Sequence, residues 1–129
     1  MRARQLYHRF VMSVLIGLSG SLLIPQVCAQ EARYQERTFA EWERDLQDSS
    51  PKVRAKAVDA LGRFGVQAVP ALIQALRDPD ASVRGGAANS LGLLGAAATE
   101  AIPALRELGE RDPKLKDVVQ QALSKIEGR

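Results

Sequence analysis

Asp78-Pro-Asp-Ala-Ser-Val-Arg84 follows Asp48-Ser-Ser-Pro-Lys-Val-Arg54 at an offset of thirty positions. In each, an acid precedes an arginine by six positions across a Pro-, Ser- and Asp-containing stretch that reads as a turn. Such a pair of charges can belong to a catalytic site, a binding site or a scaffold, and the flanking residues decide between them. At the same offset Val53 falls on Val83, Ala57 on Ala87, Leu61 on Leu91, Gly62 on Gly92 and Gly65 on Gly95. The segment is one copy of an internal repeat.

The repeat extends in both directions. Val69-Pro-Ala-Leu72 returns as Ile102-Pro-Ala-Leu105, with three extra residues in the loop after Gly95, where an insertion is tolerated. A more diverged copy follows at an offset of 32. There Leu108, Glu110, Leu115, Lys116, Val119 and Leu123 take the places of Leu76, Asp78, Val83, Arg84, Ala87 and Leu91.

Apolar spacing makes each copy a pair of helices. Val53, Ala57, Leu61 and Phe64 step by four, four and three, as do Val83, Ala87, Leu91 and Leu94, and then Leu115, Val119, Leu123 and Ile126. Each set lies on one face of a 3.6-residue helix. Shorter first helices are predicted over Phe39–Gln47, Pro70–Arg77 and Pro103–Leu108, with Pro70 and Pro103 in first turns where no amide donor is needed. Gly65 and Gly95 are predicted C-terminal stops. The abundant Ala and Gly, such as Ala55, Ala57, Ala60 and Gly85-Gly86, let helix axes approach closely, although each helical glycine costs about 1 kcal/mol relative to alanine. The pattern predicts an all-α fold, a short right-handed α-solenoid of about three helix pairs, with units at about 38–65, 66–95 and 98–127.

The 18 basic and 15 acidic residues give +3, yet Arg2, Arg4 and Arg9 all precede Gln30, in a segment that holds no acid. The rest of the chain is neutral. That first segment, 1–29, has the form of a secretory signal peptide: a basic start, an uncharged run from Phe10 to Ile24, and Val27 and Ala29 at the small-residue positions before a cut. Cleavage after Ala29 is expected, followed by a short linker at 30–37 and export to the periplasm or beyond. An uncleaved segment would instead tether the repeats to a membrane, although the run is shorter than the roughly 20 residues of a spanning helix. Cys28 does not make a good lipoprotein site, because Val27 and Pro25 stand where that signal wants a small residue and a leucine.

Cleavage there removes both His8 and Cys28, the single histidine and the single cysteine. The mature chain then has no means of building a Ser-His-Asp triad, a thiol nucleophile, or an imidazole or thiolate metal site. No catalytic residue, metal or cofactor is expected. Asp78 and Asp80 are a carboxylate pair in principle suited to acid–base work, but both flank Pro79 in a turn, where acids serve as turn and cap formers. Nucleic acid is not expected as a partner, since a neutral mature chain offers no basic stripe and Phe39 with Trp42 is too small a stacking platform.

The chain resembles the HEAT-like repeats, in the short bacterial form also found in phycobilisome lyase-related proteins. The resemblance rests on the first-helix prolines Pro70 and Pro103, the turn acids Asp48, Asp78 and Glu110, and the helix-opening pairs Val53-Arg54, Val83-Arg84 and Leu115-Lys116. It covers about residues 38–127. It implies that Asp48, Arg54, Asp78, Arg84, Glu110 and Lys116 form a structural ladder of hydrogen bonds between neighbouring repeats. Elementary physics agrees, because a turn carboxylate beside a helix N-terminus accepts backbone amides and a regularly spaced Arg bridges to the next turn. A lyase activity does not carry over, since three small units enclose little and export does not suit pigment attachment in the cytoplasm.

The end units depart from the pattern as caps do. Phe39 and Trp42 replace the first-helix proline and are expected to cover the open end of the core. The reading that follows is an exported, non-catalytic protein-interaction or scaffold module. Its candidate partner surface is the outward face of the second helices: Lys56, Asp59 and Arg63, then Gly86, Asn89 and Leu93, then Val118 and Gln121. The partner is an unidentified protein or peptide, and at about 100 mature residues self-association would add useful burial.

Overall fold

The computed structural model of the chain describes residues 33–129. The expected signal peptide and its cleavage point lie outside the described residues. The described part opens with a hairpin of β1 (Arg33–Tyr34) and β2 (Arg37–Thr38), paired antiparallel with Arg33 opposite Thr38 and Tyr34 opposite Arg37. This corrects the expected 30–37 linker over its described part, 33–37. The two residues at the turn, Gln35 and Glu36, have φ of 53° and 64°, a region that L-residues occupy reluctantly. Tertiary contacts hold them there: the Trp42 indole N–H donates to the Tyr34 carbonyl at 3.1 Å, and the Arg37 guanidinium lies 4.1 Å from the Trp42 ring centroid.

Three helix pairs follow. The first is α1 (Phe39–Asp45) with α2 (Pro51–Gly62), the second α3 (Val69–Ala75) with α4 (Ala81–Leu94), the third α5 (Ile102–Arg111) with α6 (Lys116–Glu127). Thr38 starts α1 through a capping box, its hydroxyl accepting from the Glu41 amide while the Glu41 carboxylate accepts from the Thr38 amide at 2.7 Å. Prolines stand in the first turns of α2, α3 and α5, where the missing donor costs nothing. Gly65 and Gly95, at φ of 74° and 59°, stop α2 and α4, and short 3₁₀ segments, Gly65–Ala68 and Gly95–Ala101, lead into α3 and α5. The insertion in the second loop is absorbed entirely by its longer 3₁₀ segment.

Each first helix packs on its own second helix, and the second helices pack on one another, α2 on α4 and α4 on α6. Small residues set this approach. A Cβ added to Gly62 would meet Ser90 at 3.0 Å, and one added to Gly92 would meet the Ala122 backbone at 2.9 Å. Gly62 meets Ser90 and Gly86 meets Val58. The two contacts keep the same offset along the chain, which makes α2 and α4 parallel. One core runs the length of the stack, from Trp42 through Leu61, Leu72, Leu76 and Leu91 to Leu105 and Leu108. At the far end burial falls away: Val119, Ala122 and Ile126 are covered, whereas Leu115, Val118 and Leu123 are only partly so.

Candidate functional site

The repeated acids and arginines meet across repeats. Arg54, in the first turn of α2, donates from Nε and Nη2 to the two carboxylate oxygens of Asp78, at 2.8 and 3.0 Å, while its Nη1 donates to the carbonyls of Asp48 and Ser49. Arg84 repeats the arrangement one unit on, with Nη1 on the Asp78 and Pro79 carbonyls and Nη2 on Asp112 at 2.7 Å. The Arg54–Asp78 side chains are 12% and 10% exposed and those of Arg84–Asp112 both 16%, so each pair is largely withdrawn from water. Asp48, Asp78 and Asp112 also each accept the backbone N–H two residues on, closing their own turns.

Glu110 and Lys116 are not rungs of this ladder. Glu110 is exposed on α5, Lys116 is exposed at the start of α6, and Asp112 takes the third aspartate position. The cause is a slide between helix and turn. α5 runs ten residues against seven for α3, and Asp112 stands three positions before Leu115 where Asp78 stands five before Val83, so the apolar face of α6 keeps the offset of 32 while its turn aspartate sits at 34. The signal was present in the sequence: Arg77-Asp78-Pro79 recurs as Arg111-Asp112-Pro113.

The two rungs are not equivalent. Arg54 is a bidentate fork, the strong geometry for Arg and a carboxylate. Arg84 makes one carboxylate bond, and its Nε is buried without a partner. The Asp78 hydrogen bonds raise the Arg54 pKa still further, and the Arg84 hydrogen bond holds the Asp112 carboxyl below its ordinary value. Asp80, the other half of the carboxylate pair with Asp78, caps α4: the Ser82 hydroxyl and the Ser82 and Val83 amides donate to it and lower its pKa. Both carboxylates are thus tied to structural donors. Among the described residues no group of three or more His, Cys, Asp or Glu side chains is placed to hold a metal ion.

Trp42 is 1% exposed and belongs to the core, and Phe39 is half-buried, its ring edge-on to Phe64 at 5.6 Å. These aromatics cover the first pair instead of forming an exposed patch. They also claim part of the expected partner surface. The Lys56 ammonium lies 5.8 Å from the Trp42 ring and the Arg63 guanidinium 5.9 Å from Tyr34. Gly86, in the position of Lys56 one repeat on, faces Val58 of α2. Asp59, Asn89, Leu93 and Gln121 remain exposed.

Stacked helix pairs, parallel second helices and an Asp–Arg ladder between consecutive turns make a helical-repeat frame, and the HEAT repeats family matches residues 42–124. The chain belongs to the HEAT-repeat family. The match speaks for HEAT repeats in general and not for the narrower lyase-related group. No curated protein matches the chain. Within a HEAT architecture the ladder belongs to the frame, and function is sought on surfaces the frame leaves open.

Proposed function

We infer from the HEAT repeats, which commonly mediate protein–protein interaction, that this chain is a small module of that kind. We propose that it works as an exported, non-catalytic scaffold that binds a protein partner through the outward face of its second helices. The observation that carries this reading is Leu93. It is 70% exposed near the end of α4, and Val66, 65% exposed, stands just past the end of the parallel helix α2. These are the exposed large hydrophobic residues among those described. Asn89 and Gln121 supply polar groups on the same helical faces, the mixture of an apolar anchor and a polar surround that interfaces use.

Export is supported by the composition of the segment before Gln30, and the non-catalytic role by the absence of histidine and cysteine from the remainder. The test is capture from a native envelope fraction with the wild-type chain and with Leu93→Asp. A specific partner retained by wild type and lost with the variant, at unchanged melting temperature, is the expected result. A partner retained equally by both overturns the assigned surface, and a native N-terminus other than Gln30 overturns the assigned cleavage point.

A further inference from the structure

The paired Arg-Asp-Pro turns build a second surface, distinct from Leu93. Between them lies an open cavity of about 530 Å³ lined by Arg77, Ala81, Arg84, Arg111, Asp112 and Lys114. Four cations face one carboxylate, and that carboxylate is already engaged by Arg84. Arg84 is itself committed to Asp112 and two carbonyls, so it lends charge to the wall more than free donors.

Arg77 and Arg111 are different. Arg111 is held in place by one bond, from Nη2 to the Leu76 carbonyl at 3.1 Å. Glu107 lies between the two arginines, its Oε2 3.3 Å from Arg77 and its Oε1 3.8 Å from Arg111. The chain's own side chain thus shows that a carboxylate can be shared by this pair of guanidiniums. With all three side chains well exposed, such surface contacts are weak and exchangeable. Including Glu107, the lining still carries two more positive than negative charges, in a chain that is neutral from Gln30 onward.

We propose that this groove is a docking site for an acidic peptide segment of a partner protein, with Arg77 and Arg111 receiving one carboxylate in place of Glu107 and Lys114 a neighbouring one. Guanidinium pairs suit planar carboxylates. The four cations line one groove, which suits a short segment better than the backbone of a nucleic acid. The volume accommodates a few side chains.

Fluorescence anisotropy of a labelled tetraglutamate peptide titrated with the full chain tests the site, with tetraglutamine as the neutral control. Binding should weaken as salt rises, and the double variant R77Q/K114Q should weaken it about fivefold or more at unchanged melting temperature. Glu107→Gln should strengthen it by about threefold, because it releases both arginines. Glu110→Gln removes the same charge from the same helix without touching either arginine and should have a smaller effect. Equal gains from the two glutamine variants, equal binding of tetraglutamine, or no loss in R77Q/K114Q each overturn the proposal. Tighter binding of a single-stranded tetranucleotide than of tetraglutamate would reassign the groove to nucleic acid. Leu93→Asp should leave peptide binding unchanged, so failure here and failure of the second-helix surface are separately visible.

Discussion

Asp78 serves three neighbours at once. Its carboxylate receives Arg54 from the preceding repeat and the Asp80 amide from its own turn, and its carbonyl receives Arg84. Asp78→Ala therefore leaves a guanidinium with little water and no carboxylate, the costly way to break an ion pair. Thermal unfolding should show a loss of at least roughly 4–8 °C. Asp80→Ala removes only a half-buried helix cap with no arginine partner and should cost clearly less. Gly65 provides a cleaner residue-scale test, since nothing lies within 4 Å of a Cβ added there. Gly65→Ala should lower stability by about 1–2 kcal/mol from backbone conformation alone, measured by denaturant unfolding. The role of Gly65 was readable from its place after an apolar helical run. The role of Asp112 was hidden, because aligning α6 by its apolar positions pulls Glu110 into the place that the shorter turn gives to Asp112.

At the scale of elements, the second helices owe their close approach to residues that would be poor choices in isolated helices. Gly92 lies against the Ala122 backbone at a distance no added methyl can occupy, and backbone has no rotamer by which to yield. Gly92→Ala should destabilise by about 1–3 kcal/mol through overpacking. Gly85 sits on the same helix, and a Cβ there would meet only the end of Leu115 at 3.4 Å. Gly85→Ala should therefore stabilise, by up to about 1 kcal/mol, the helix-propensity difference. Opposite signs in chemical denaturation for the two variants would separate packing from propensity within one element. The helix pairs were legible because a 3.6-residue apolar period survives even when the loops between them change length. The hairpin was not: Gln35-Glu36 lacks the Asn-Gly or Asp-Gly chemistry of a two-residue turn, and its conformation is fixed by Trp42 and Arg37, contacts that no local pattern announces.

For the molecule as a whole, the carboxylates that secure turns, caps and rungs decide how it responds to pH. Asp112 is held below its ordinary 3.8 first by the Arg84 hydrogen bond, Asp80 by the Ser82 hydroxyl and Asp45 by the Arg37 guanidinium, while the Thr38 amide and hydroxyl hold Glu41 below 4.5. Each group releases its proton more readily folded than unfolded. Its contribution to stability is complete above the unfolded value and is lost as the pH falls through the lower folded value. The described residues contain no histidine, so no imidazole among them titrates between these carboxylates and the basic groups. Melting temperature should be nearly flat from about pH 5 to 8 and then decline progressively below about pH 4. Asp112→Asn should start lower at neutral pH, because Arg84 loses its charged partner, yet fall less steeply on acidification, because one depressed carboxylate is gone. A parallel displacement of the whole curve, with its acid slope unchanged, would show that Asp112 contributes through its turn geometry and not through the charge it shares with Arg84.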